Sequence, residues 1–128
     1  MIVVDSNVLA YLFLPSPHAA KAEALFERDH EWAAPILWRS EFRNILTGYL
    51  RRKTLSYETV IDIQKEAESL LAGAEYEVSS EAVLALARDS TCSSYDCEFI
   101  ALAMQLDTSL ITMDGELLRA FPNRARAL

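Results

Sequence analysis

Met1-Ile2-Val3-Val4-Asp5-Ser6-Asn7 opens the chain, and its reading decides the architecture. Ile2, Val3 and Val4 make a run too short for a helix and rich in β-branching, which predicts a brief buried strand. The run stops on a carboxylate and two small polar residues, and apolar sequence resumes at Val8. A strand that ends on an acid and turns directly into a helix sets that acid at the carboxyl edge of a sheet. In open α/β sheets ligands bind at that edge. Asp5 is therefore the first candidate site residue.

Outward from this strand, helices and short strands alternate. Val8 to Leu14 reads as a short helix stopped by Pro15 and Pro17. His18 to Arg28 reads as a second, with Ala19, Ala22, Leu25 and Phe26 on one face; His18 itself lies at a loop boundary with a structural or solvated role. Trp32-Ala33-Ala34 is a weak strand ended by Pro35. A long amphipathic helix is predicted from about Ile36 to Arg52, and another from Ser56 to Leu71, capped by Ser56 or Thr54 and closed by Gly73. Tyr76-Glu77-Val78 is a short strand, and Ser79 or Ser80 caps the helix that carries Val83, Leu84, Leu86 and Ala87. The polar run from Asp89 to Ser94 is a loop, and Tyr95 to Leu106 is the next helix. Ser109 to Thr112 forms a strand that ends on Met113-Asp114-Gly115, followed by a short helix (Glu116 to Ala120) and an arginine-bearing tail. This alternation implies an α/β fold with a parallel sheet wrapped on both faces.

The 128 residues suit a single domain, residues 1–128, with a real core. No apolar run approaches the roughly 18–20 residues that span a bilayer. The N-terminus lacks a basic segment and an apolar core long enough for a signal peptide. The expected location is cytoplasmic, with no membrane partner. Cys92 and Cys97 have no histidines nearby in sequence, which makes them a poor zinc site and reads instead as packing residues. The net charge of −7 argues against gripping nucleic acid by bulk electrostatics alone. A cluster of site acids would itself inflate that negative count, and bound cations would reverse it locally. Basic residues concentrate at Arg39 and Arg43, at Arg51-Arg52-Lys53, and at Arg119, Arg124 and Arg126, each also readable as a solvated helix end or tail.

Four acids carry the chemistry: Asp5, Glu41, Asp96 and Asp114. Asp5 and Asp114 both follow apolar strands at the same inferred sheet edge, although either could simply cap the helix that follows. Asp96 opens a helix, where a carboxylate also suits the helix dipole. Glu41 falls between Leu37 and Ile45 inside the apolar arc of its helix, at about 100° per residue. A lone carboxylate there is costly unless its head reaches water. Four acids in one cleft repel one another unless a divalent cation lies among them. Oxygen-only ligation suits Mg²⁺ or Mn²⁺, which would activate water and neutralise charge on a phosphodiester.

The chain resembles the PIN-domain family, most closely its small stand-alone VapC-type toxins. Val3-Val4-Asp5-Ser6-Asn7-Val8-Leu9 is similar to that family's first motif and Ser40-Glu41-Phe42-Arg43-Asn44 to its second. Tyr95-Asp96-Cys97-Glu98-Phe99-Ile100-Ala101-Leu102-Ala103 resembles the third, and Leu110-Ile111-Thr112-Met113-Asp114 the fourth. The resemblance implies a five-stranded parallel sheet between helices and a metal-dependent endoribonuclease. It implies Asp5 and Asp96 as direct metal ligands, with Glu41 and Asp114 completing the acidic pocket, ligating the metal directly or through water, and orienting the attacking water. It further implies Ser6, Asn7 and Thr112 as hydrogen-bonding supports for the carboxylates. Glu116 is close enough in sequence to Asp114 to substitute for it. RNA contact is expected from local arginines, Arg39 and Arg43, and the implied partners are an RNA substrate, a cognate antitoxin and a second copy in a homodimer. The competing function is a PIN-like module that keeps its acids but serves RNA binding or protein docking without catalysis. A receiver domain would need a second acid beside Asp5, and an Asp-x-Asp phosphatase is excluded by Asn7.

Overall fold

A computed structural model of the chain describes residues 1–128. The elements in order are β1 (Ile2–Val4), α1 (Ser6–Phe13), α2 (Ala19–Arg28), β2 (Trp32–Pro35), α3 (Trp38–Arg51), α4 (Tyr57–Leu70), β3 (Glu75–Tyr76), α5 (Ser80–Arg88), α6 (Ser94–Gln105), β4 (Leu110–Ile111), α7 (Gly115–Ala120) and β5 (Ala125–Arg126). The strands form one sheet in the order β3-β2-β1-β4-β5, parallel throughout. The chain first steps from β1 through β2 to β3, then returns past β1 to β4 and β5. Parallel crossovers are right-handed, so this reversal sends α1 to α4 to one face and α5 and α6 to the other. The packing agrees: α1 meets α3 and α4, whereas α5 meets α6. The strand order reverses between β1 and β4, and a crevice opens there at the carboxyl ends of the strands.

Sequence dictates most of this locally. Ser56, Ser79 and Ser93 cap α4, α5 and α6, each accepting a backbone N–H from three residues on. Thr54 instead donates to the Tyr49 carbonyl in the turn after α3. Gly73 takes φ +78°, the left-handed conformation that ends α4's connection without a Cβ penalty. Helix α6 lies against β1, β2 and β4, and Cys97, Phe99, Ile100, Ala101, Leu102 and Ala103 are all buried there. Both cysteines are free thiols packed into this core. No helix is long and apolar enough to cross a membrane.

Four expectations need correction. The first helix starts at Ser6 rather than Val8, because Asp5 caps it directly after β1. The long helix starts at Trp38 rather than Ile36, because Pro35 still belongs to β2 and Ile36 sits in the turn between. β3 lies at Glu75–Tyr76, earlier than Tyr76 to Val78, where Ala34 N–H donates to the Ala74 carbonyl and Ile36 N–H to that of Tyr76. The tail is a strand: Leu110 N–H donates to the Arg124 carbonyl (2.8 Å) and Thr112 N–H to that of Arg126 (2.9 Å), creating β5. His18 precedes α2 without capping it, its ring packed at 4.8 Å on Tyr11.

Arg39 is spent within this framework. Its Nε and Nη2 donate to the two Glu75 oxygens at 2.6 and 2.7 Å, and Nη1 reaches Glu68 at 3.1 Å. The fully buried Trp38 indole also donates to Glu75, at 2.7 Å. One carboxylate thus ties the start of α3 to β3. The guanidinium holds the Glu75 carboxyl below the ordinary carboxylate range. The Arg39 guanidinium, for which RNA contact is expected, thus spends its donors on Glu75 and Glu68 in this fold. Glu75→Ala strands a buried indole N–H and should lower unfolding stability by about 2 kcal/mol. Urea denaturation checks this; an unchanged midpoint at constant slope would show the tie to be incidental.

Candidate active site

The four acids reach the crevice from four elements. Asp5 follows β1 and Asp114 follows β4, neighbours in register through Val4 and Ile111. Glu41 lies in the first turn of α3 and Asp96 in the first turn of α6. All four line one open cleft of about 420 Å³ together with Ser6, Asn7, Ser40, Asn44 and Tyr95. Leu37 and Ile45 complete its wall from α3.

Asp5 is the anchor. It is 8 % exposed, and both oxygens are held by neutral donors: Oδ1 accepts the Ser6 N–H and Oδ2 the Thr112 hydroxyl, each at 2.7 Å. Burial pushes its carboxyl above the ordinary range, against the pull of these hydrogen bonds, and the Asp114 charge adds to the rise. Thr112 is fully buried, and its hydroxyl also accepts the Asp114 N–H at 3.0 Å. A single hydroxyl thus joins the ends of β1 and β4. Ser6, also buried, donates its hydroxyl to Glu41 Oε1 at 2.7 Å and so fixes α3 to the start of α1.

Glu41 is half-buried, its stem on the core and its head in the cleft. Burial raises its pKa, the Ser6 hydrogen bond lowers it, and the charges of Asp5, Asp96 and Glu98 raise it further. Asp96 is raised by burial first and then by the charges of Asp114 and Asp5. It is not the cap of α6, since Ser93 fills that place and accepts the Asp96 N–H. Asp114, by contrast, does cap a helix: its Oδ1 accepts from Glu116 and Leu117, and only its second oxygen remains for the cleft. Asp5 likewise caps α1. For these two residues capping and facing the cleft are the same geometry. Glu116 turns aside, accepting a hydrogen bond from Thr91 at 3.0 Å, and lies outside the cleft lining. Asn7 lines the cleft from an exposed position, and Arg43 is exposed on α3 away from the lining.

The electrostatics of this cleft are one-sided. No Lys, Arg or His lines it, and none of its four acids takes part in an ion pair. As placed, no three His, Cys, Asp or Glu side chains draw together closely enough to hold an ion. Hydrogen bonds hold Asp5 between two neutral donors and turn half of Asp114 toward its own helix. A buried carboxylate facing three more acids without a counter-charge is nonetheless the environment that a divalent cation relieves. The donors are oxygen only, which fits hard ions such as Mg²⁺ or Mn²⁺.

Ser40, Asn44 and Tyr95 were not singled out from sequence as site residues. Asn44 was findable: with Leu37, Glu41 and Ile45 it keeps three- and four-residue spacings on one face of α3. Ser40 and Tyr95 carry no such signal.

The PIN domain family model matches residues 2–121. The chain belongs to the PIN-domain family. This PIN domain is 28 % identical over 125 residues to Ribonuclease VapC3 of Pyrobaculum aerophilum, an alignment that covers 94 % of this chain and 95 % of that protein. Its fold is similar to the crystal structure of PAE2754 from Pyrobaculum aerophilum (TM-score 0.76, 21 % identity, 97 % of this chain and 81 % of that one). It is also similar to a chain of a toxin–antitoxin complex from Klebsiella pneumoniae (TM-score 0.67, 16 % identity, 96 % and 92 % of the two chains). The five-stranded parallel sheet expected from the motifs is present in this PIN domain.

Proposed function

We propose that the protein is a Mg²⁺- or Mn²⁺-dependent endoribonuclease and the toxin of a toxin–antitoxin pair. The observation that carries this reading is the convergence of Asp5, Glu41, Asp96 and Asp114 on one cleft with no basic residue in its lining. Membership of the PIN family and the likeness to a ribonuclease point the same way. Asp5 and Asp96 would hold the ion, with Glu41 and Asp114 beside them. Such an ion supplies positive charge against the phosphodiester and lowers the cost of deprotonating water.

The chain's own residues supply position and proton handling. Ser6 and Thr112 hold Glu41 and Asp5 at fixed angles, so the carboxylates need little reorganisation when charge develops. Glu41, with its raised pKa and one oxygen free of hydrogen bonds, is placed to accept a proton from the attacking water. The acidic cleft also suits occlusion by a basic segment of an antitoxin, an arginine pairing with its carboxylates. The likeness to a Klebsiella toxin–antitoxin complex supports that partner. A homodimer is the assembly proposed for it.

The test is cleavage of a panel of structured RNAs with EDTA, and again after Mg²⁺ or Mn²⁺ is restored. Cleavage should vanish and return. In parallel, the ion should raise the Tm of wild type and hardly move that of Asp5→Asn. Equal shifts in both proteins would remove Asp5 from the ion site, and cleavage in EDTA would end the metal-dependent reading. RNA binding without cleavage would instead favour the non-catalytic module.

A further inference from the structure

A second groove adjoins the acidic cleft. It measures about 230 Å³, lies between α1 and α3, and shares Asn7 and Ile45 with the cleft. Tyr11 and Tyr49 stand in its wall. Glu41, Ile45, Tyr49 and Arg52 follow one another along α3 at spacings of four, four and three, which keeps them on one face. At about 1.5 Å of rise per residue, the Arg52 backbone lies roughly 16 Å along the axis from Glu41, and its guanidinium, folded back over Gly48, roughly 10 Å. That is the reach of a few nucleotides.

Arg52 folds back along its own helix. Its guanidinium carbon sits 4.8 Å from the centre of the Tyr49 ring. A Cβ at Gly48 would stand 3.0 Å from its Nη1, so the guanidinium lies closely over the glycine and would have to shift by a few tenths of an ångström to admit a larger residue. Gly48 lies inside α3, where glycine weakens a helix relative to alanine. The seat is thus formed at the expense of helix propensity. Arg52 has no carboxylate partner, in contrast to Arg39 and Arg124. An exposed guanidinium stacked on an aromatic face keeps its donor edges free for an oxyanion.

We propose that Arg52, positioned by Tyr49 and Gly48, clamps a backbone phosphate of single-stranded RNA a few nucleotides from the bond cut in the acidic cleft. The inference rests on the ribonuclease reading and adds a substrate contact to it. It also supplies what the cleft lacks, since four acids give a polyanion nothing to hold. A clamp outside the cleft provides the affinity without placing a cation among the carboxylates.

The test measures equilibrium binding of a single-stranded RNA oligonucleotide against salt concentration, in Mg²⁺, using Asp96→Asn protein so that the RNA stays intact. Adding Arg52→Ala should weaken binding about tenfold, as expected for one charge-assisted pair. The slope of log affinity against log salt should fall by about 0.7, the loss of one single-strand phosphate contact. Arg52→Lys should restore the slope and part of the affinity. Gly48→Ala, which presses the guanidinium away from its seat, should reproduce a small part of the Arg52→Ala loss at unchanged Tm or higher. An unchanged slope in Arg52→Ala overturns the clamp, whatever happens to affinity. Displacement of the RNA by a polyglutamate peptide from the parent, but not from Arg52→Ala, would reassign the shelf to an acidic protein partner and also overturn it. If wild type neither binds nor cuts RNA, the ribonuclease reading fails; if it does both and Arg52→Ala matches it, only the clamp fails.

Discussion

Asp96→Asn is expected to remove RNA cleavage while leaving the metal-free protein at least as stable as wild type. The rate should fall by ~10²-fold or more, the scale on which loss of one charge-stabilising group acts. The stability half follows from the surroundings of Asp96. Its carboxylate is not a helix cap, because Ser93 already serves α6. Burial and the charges of Asp114 and Asp5 raise its pKa above the ordinary 3.8. A carboxylate raised by folding stabilises the native state below its ordinary value, and that contribution is lost as pH rises through the folded value. At neutral pH the ionised group is therefore a net cost, which asparagine removes. The metal-free variant should match or exceed wild type in Tm at pH 7, and the gain should disappear below about pH 4. A variant that loses Tm at pH 7 would mean that Asp96 holds α6 together by a contact made as a carboxylate. Wild-type cleavage by this variant would remove Asp96 from the chemistry altogether.

The parts of the fold legible in the sequence are those written within a few residues. β1 announces itself by three β-branched or apolar residues that end on Asp5, and three helix starts are marked by serines. α6 is legible as a helix by its unbroken apolar run from Phe99 to Met104, of which Phe99 to Ala103 are buried. β5 could not be read, because Ala125 and Arg126 become a strand only through main-chain pairing with β4, and two residues carry no periodicity. The same holds for the exact placement of β3. At the site, strand ends pointed to Asp5 and Asp114 and helix phase to Glu41. The hydrogen bonds that fix these acids bridge distant sequence: Ser6 to Glu41 spans 35 positions and Thr112 to Asp5 spans 107. Arg39 shows the same limit from another side, its guanidinium held by Glu75, 36 residues away. No local pattern signals such a capture.

Thr112→Val should be the most destabilising of the small substitutions near the site. The residue is fully buried at the end of β4, and its hydroxyl serves Asp5 and the Asp114 N–H together. Valine keeps the shape but leaves a buried carboxylate oxygen and a backbone N–H without that partner. The loss should be about 3 kcal/mol at neutral pH, since one of the two hydrogen bonds is charge-assisted. Cleavage should fall roughly 10–100-fold with the carboxylate's orientation. The pH dependence separates the hydrogen bond from mere packing. In wild type, Asp5 is already raised by burial, and Thr112 opposes that rise. Without the hydroxyl its folded value climbs further, so the stability lost on ionising Asp5 grows. The gap between wild type and variant should therefore be smallest in acid, widen as pH passes through the two folded values, and level off above them. Thr112→Ser, which keeps the hydroxyl and gives up a methyl worth about 1 kcal/mol, should show a small gap that does not vary with pH. A pH-independent gap for valine would reduce Thr112 to a packing residue. The bridge across the strand-order reversal would then have to be sought elsewhere in the crevice.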